Sequence, residues 1–143
     1  MKKLTLIIVL FVFISCSSDP EPLRYGKDIC YSCKMTLVDR KFGAEIVTKK
    51  GKVYKFDDLN CMVGFYNSDY EVHENMEHIL VIDFAHPGTL IDVQQAFFVK
   101  TSEIRTPMAG GIAAFSNKED QANQNEKWKG TLLEWPDVIA EFK

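Results

Sequence analysis

GAEIVTKKGKVYKFDDLNCMVGFY, residues 43–66, is the stretch that decides how this chain folds. GAEIV and KVYKF are short runs rich in strand-forming residues, and Lys49-Lys50-Gly51 between them is a turn, so the pair reads as a β-hairpin. Asp57 or Asp58 then offers a side-chain oxygen to the free N–H groups of a helix running through LNCMVGFY and ending at Asn67-Ser68. Met62, Phe65 and Tyr66 recur at helical spacing and give that helix one face to bury.

Downstream the plan returns. HILVIDFA (78–85) and AFFVK (96–100) are apolar strand candidates, and IAAF (112–115) follows the loop Thr106-Pro107-Met108-Ala109-Gly110-Gly111. Ser116 or Asn117 offers the cap for a helix over KEDQANQNEKW. Phe56-Asp57-Asp58 and Phe115-Ser116-Asn117 are thus matching strand-to-cap transitions. The expected fold class is α+β, built as two tandem ββα-type units within a single domain at 29–143. The closing run LLEWPDVIAEF (132–142) is expected to pack back as a short helix begun at Pro136.

Upstream of the domain lies a targeting segment. Lys2 and Lys3 precede an almost wholly apolar stretch at 4–14, and Ser15 is the small residue expected before a cleavage site. Eleven helical residues rise about 16 Å, too little for a hydrocarbon core of about 30 Å. Residues 1–15 therefore read as a signal peptide, and Phe13-Ile14-Ser15-Cys16 resembles a lipobox, with Cys16 as the lipidated residue. The polar run that follows suits a tether, placed at 16–28, and several acyl chains at about 0.8 kcal/mol per buried methylene would hold it durably on a bilayer. The expected location is a periplasm-facing lipoprotein of the outer membrane. Two of the 17 basic residues, Lys2 and Lys3, fall in the signal segment; the remainder carries 15 basic against 20 acidic groups, a formal charge of −5. No basic stripe is present, which argues against nucleic acid as a partner.

Beyond Cys16 the chain has three cysteines, Cys30, Cys33 and Cys61, an odd number for a disulfide scaffold. Cys30-x-x-Cys33-x-Met35 is the densest sulfur motif. Thiolate and thioether are soft donors that favour Cu(I), whereas zinc seldom uses methionine. In an extended segment the i, i+2 spacing puts Cys33 and Met35 on one face. Met108 sits in a Pro-Met-Ala-Gly-Gly loop, where proline fixes the approach and glycine lets backbone pass close by.

Other readings stand beside this one. A CxxC pair serves thiol–disulfide exchange, although the strand–CxxC–helix setting is missing. It also forms half of a zinc site, which Cys61 and one histidine would complete. A c-type haem needs CxxCH, and Lys34 follows Cys33. Cys61, beside Met62 on the expected helix, reads as a buried inert thiol, and Met62 and Met76 as core filler. His73, His78 and His86 read as solvated residues, any of them able to complete a metal shell. Asp57 and Asp58 look like a capping pair. Nothing makes a positive case for an enzyme.

The lipobox, C-x-x-C-x-M, Phe56-Asp57-Asp58 followed by Cys61-Met62, and Thr106-Pro107-Met108-Ala-Gly-Gly before Ala114-Phe115 together resemble the NosL family, the copper-binding accessory lipoproteins of nitrous oxide reductase. The likeness runs from about Tyr25 to Gln124. It implies a Cu(I) chaperone that serves the membrane-associated NosDFY maturation machinery and, through it, nitrous oxide reductase. It also implies a fold related to that of organomercurial lyase. By motif, Cys33 and Met35 match the Cys-x-Met ligands, Met108 the Pro-Met ligand and Cys30 the first cysteine, with a histidine or water filling out the shell.

Overall fold

Gly51 closes the first hairpin, between β1 (Ala44–Thr48) and β2 (Val53–Phe56), with φ +77° and its N–H donating to the Thr48 carbonyl at 2.8 Å. A Cβ there would stand 2.7 Å from the carbonyl oxygen of Ser17, so glycine answers both the left-handed backbone and the close approach of the N-terminal strap. The computed structural model describes residues 17–142; the leader at 1–15 and Cys16 lie outside the described residues, and with them the signal peptide and lipidation site expected there. No helix among the described residues is long and apolar enough to cross a membrane.

The fold is α+β with two small antiparallel sheets. β1 lies between β2 and β3 (Met76–Ile82), and β4 (Leu90–Asp92) adds the far edge, in the order β2-β1-β3-β4. All five residues of β1 are buried, the carboxylate of Glu45 and the hydroxyl of Thr48 among them, so neither face of the strand is left to solvent. In the second sheet β5 (Phe97–Lys100) is central, flanked by β6 (Ile112–Phe115) and β7 (Thr131–Leu133). Asp83 and Ala114 bridge the two sheets, and the Phe84 N–H donates to the Ala114 carbonyl at 2.8 Å. One hydrophobic core, with Ile46, Phe56, Met62, Phe98, Ala114 and Val138, runs through both.

In each unit the second of the two cap candidates does the capping. Asp58 accepts the Cys61 N–H at 3.1 Å and opens α1 (Leu59–Tyr66); Asn117 accepts the Asp120 N–H at 2.9 Å and opens α2 (Lys118–Trp128). The faces buried by these helices differ. α1 buries Leu59, Cys61, Met62, Val63 and Phe65, while α2 buries only Gln121, whose amide donates to the Phe98 carbonyl at 2.9 Å.

Three expectations are corrected. Ahead of the closing helix lies a strand that was not expected: residues 131–133 pair with the open edge of β5, whose backbone groups need partners. The last helix, α3 (Trp135–Glu141), starts before Pro136, with Glu134 and Asp137 forming a capping box. And the strap at 21–28 packs as part of the fold rather than serving as tether. The Glu21 N–H donates to the buried Glu45 at 2.8 Å, Leu23 enters the core, and buried Asp28 pairs with Arg24 and Lys55 at 2.8 and 2.9 Å.

Candidate metal centre

The strap leads into a tight knuckle at 29–36. Ile29 and Thr36 pair as an antiparallel bridge, the Cys30 N–H donates to the Met35 carbonyl at 2.8 Å, and the Lys34 N–H donates back to the Cys30 carbonyl at 3.1 Å. Lys34 takes φ +65°, an uncommon conformation for a residue with a Cβ, and its ammonium donates to the Tyr31 carbonyl at 2.5 Å. Two bonds fix the knuckle to the first unit: Tyr31 N–H to the Lys55 carbonyl of β2 at 2.7 Å, and Ser32 Oγ to the Cys61 carbonyl of α1 at 3.0 Å. The segment is therefore a turn and not the extended stretch read from the sequence. The left-handed residue between Cys33 and Met35 breaks the alternation that would place both on one face. Cys33 is half-buried, and Met35 stands 48% exposed at the rim.

Pinned in this way, the knuckle brings ligand atoms of Cys30, Cys33, Asp57 and Cys61 within 4.8 Å of one another. The Cys33 thiol donates to Asp57 Oδ2 at 3.4 Å, while Asp57 Oδ1 is buried with no hydrogen-bond partner. A buried carboxylate oxygen without a donor is costly unless something cationic or protic completes it. Cys30, fully buried, has its pKa held down to about 6, first because the Cys61 thiol donates to it, with burial opposing. The same bond, then burial, pushes the Cys61 thiol up, and burial pushes Cys33 up. The two ends of this bond are thus shifted in opposite directions, Cys30 toward the thiolate and Cys61 away from it, which makes Cys30 the member of the trio best placed to carry negative charge.

Above this cluster opens a cleft of ≈ 620 Å³ between the knuckle and α1. Cys33, Cys61 and Met108 line it together with Tyr31, Phe65 and Tyr70. Met108 comes from the loop before β6 in the second unit, so sulfur from two distant stretches of chain faces one space. Met35 does not line the cleft. No histidine joins the cluster among the described residues. The ring of His73 stacks on Tyr66 at 3.9 Å, and His86 pairs with buried Asp83 at 2.9 Å. The carboxylate of Asp57 joins the three cysteines, where the sequence left a histidine or water open.

The sequence model of the NosL family matches residues 25–142. The chain belongs to the NosL family. Its fold is similar to that of the copper chaperone NosL from Shewanella denitrificans in a crystal structure, with a TM-score of 0.67 and 22% identity over 82% of this chain and 93% of that one. No curated protein sequence matches it. The NosL match starts at Tyr25, in the strap that already packs on the sheet.

Two residues of this NosL-family cluster were not placed in a copper site by the sequence reading. Asp57 looked like half of a capping pair and Cys61 like an inert thiol. The available signal was their spacing: once Asp58 caps, Cys61 falls at the third helical position, on the turn that carries Asp57 at its head.

Proposed function

We propose that this chain is a lipid-anchored carrier of Cu(I), not an enzyme. The observation that supports it is the convergence of three cysteine sulfurs with a carboxylate beneath a cleft that Met108 shares. Copper here is cargo. Cys33 and Met108 face the cleft and are the donors an incoming ion meets first. Cys30 and Asp57 supply the buried negative charge that balances it, Cys61 adds a sulfur at the floor, and Met35, exposed outside the cleft two residues from Cys33, is the third soft donor of the motif. Thiolate and thioether select a soft monovalent ion over hard ones. A site left open toward the cleft also lets a partner's sulfur enter before the donor's ligands leave, which suits transfer better than a closed cage.

The family membership supports the rest of the reading. The lipid on Cys16 would hold the carrier at the periplasmic face of the outer membrane, and the ion would pass to the NosDFY machinery for nitrous oxide reductase. Descent from the same fold as organomercurial lyase, a protein that handles a soft metal with cysteines, belongs to this proposal.

Anaerobic titration with Cu(I) under reducing conditions, in competition with a chromophoric Cu(I) chelator, tests it. The expected result is a single equivalent retained against the chelator, with binding weakened in Met108→Ala and in Met35→Ala. No retention against the chelator would overturn it. Zinc is the second reading, favoured by Asp57, because three cysteines and a carboxylate suit a tetrahedral site; zinc affinity untouched by loss of Met108, with no Cu(I) binding, would select it. Thiol–disulfide exchange fits less well, because Cys30, the more acidic thiol, is the one wholly withdrawn from solvent.

A further inference from the structure

Asp58 does more than begin a helix. Its Oδ1 accepts the Cys61 N–H at 3.1 Å, and its Oδ2 accepts the Met108 N–H at 2.8 Å, from a residue 50 positions away in the chain. Asn60, two residues on, donates through its side-chain amide to the Met108 carbonyl at 3.1 Å. Met108 is therefore gripped on both backbone groups by the first turn of α1, the turn that carries Cys61. The loop beyond is shaped to fit: Ala109 takes φ +57°, and a Cβ on Gly110 would stand 2.9 Å from the Phe142 ring and 3.4 Å from Asn60 Cβ.

We infer that Asp58 is a positioning residue which, with Asn60, couples the thioether of Met108 to the cysteine cluster by binding the Met108 backbone and the Cys61 backbone through one buried carboxylate. The second unit supplies the contrast within the same molecule. Asn117 holds the equivalent place and caps α2 just as directly, but its remaining hydrogen bonds go to its neighbours Ser116 and Asp120. A helix cap thus needs one acceptor oxygen, which Asn supplies as well as Asp. The second oxygen of Asp58 is spent on Met108. An asparagine at 58 keeps one acceptor and replaces the other with an NH₂ donor, which cannot accept the Met108 N–H.

Asp58→Asn therefore separates the two tasks. In the metal-free protein, labelled with ¹³C at methionine methyls, the Met108 resonance should be shifted by the aromatic rings that share its cleft. In Asp58→Asn it should move toward the position of a free methionine while the helical signal in circular dichroism, and with it the cap on α1, is kept. The affinity arm rests on the copper reading: Asp58→Asn should lower Cu(I) affinity by about 10- to 100-fold, the range for outer-shell partners, and this loss should vanish when Met108 is already Ala. An unmoved Met108 methyl in both Asp58→Asn and Asn60→Ala overturns the inference, as does an equal affinity loss with and without Met108. If the methyl moves but Met108→Ala leaves Cu(I) affinity unchanged, the positioning role stands and Met108's part in holding copper fails. Should Asp58→Asn not fold, Asn60→Ala, which frees only the Met108 carbonyl, carries the same two measurements.

Discussion

Asp57-Asp58-Leu59-Asn60-Cys61 in the first unit and Ser116-Asn117-Lys118-Glu119-Asp120 in the second occupy the same five places, from the end of a strand to the third residue of a helix. The backbone does the same thing in both: a phenylalanine closes the strand, and the second polar residue caps the helix through the N–H three positions on. The side chains diverge entirely. Asp57 is buried with an unpartnered oxygen and Ser116 is exposed; Cys61 joins a sulfur cluster and Asp120 bonds to its own cap. Helix α1 is wedged into the core, while α2 covers the second sheet with a polar surface. A local motif for turning strand into helix is thus independent of whether the turn carries chemistry. What distinguishes the first unit is a third element, the 29–36 knuckle, laid across its helix start. The second unit contributes a single residue, Met108.

The widest gap between the units is expected in stability. Met62 and Gln121 fill the equivalent fourth helical position, and both are buried. Met62→Ala should cost about 2–5 kcal/mol as a core truncation. Gln121→Ala, which strands the Phe98 carbonyl, should cost only about 1–3 kcal/mol. Chemical denaturation of the metal-free protein measures both, and equal losses would show that the second helix is as deeply involved in the core as the first.

Metal affinity is next. Cys61→Ser removes a donor from the cluster and should weaken Cu(I) binding by more than about 100-fold, beyond the range of outer-shell changes, whereas Asp120→Ala at the same helical position should leave it unchanged. Competition titrations decide between them.

Acidification should separate the units too. Cys30 has its pKa held near 6, so its thiolate is present at neutral pH and is lost as the pH falls through that value; Cu(I) affinity should then decline by up to about tenfold, or ~1.4 kcal/mol, per pH unit for each proton that competes. Thiolate absorbance of the reduced, metal-free protein should show the same step, and Cys61→Ala, by removing the donated hydrogen bond, should move it upward. The caps separate the units as well, and the cap of the second unit gives the smallest effect. Asn117→Ala should cost about 1 kcal/mol, and Asp58→Ala about 1–3 kcal/mol more, because the Met108 N–H loses its acceptor.

Much of the fold was legible in sequence because its signals are local. Lys49-Lys50-Gly51 between two β-rich runs, a polar pair before each helix and the 3.6-residue spacing of Met62, Phe65 and Tyr66 are all determined within a few residues. β7 was hidden because Leu132 and Leu133 carry too short a pattern, and only the free edge of β5 makes them a strand. The strap was hidden because its polar residues resemble a linker until Glu45, Lys55 and Asp28 are assembled around it.

The site divides in the same way. The sequence determined its chemistry: Cys30, Cys33 and Cys61 together with Met35 and Met108 already specify soft donors, since the preference of sulfur for a soft ion is a property of the atom. Tertiary structure alone decided membership. The left-handed Lys34 turns Met35 away, the tie from Tyr31 to Lys55 sets Cys30 and Cys33 over the helix start, and the carboxylate of Asp58 brings Met108 across 50 residues. The last two are long-range contacts, one between backbones and one from a carboxylate to a backbone, which no spacing within a single segment records.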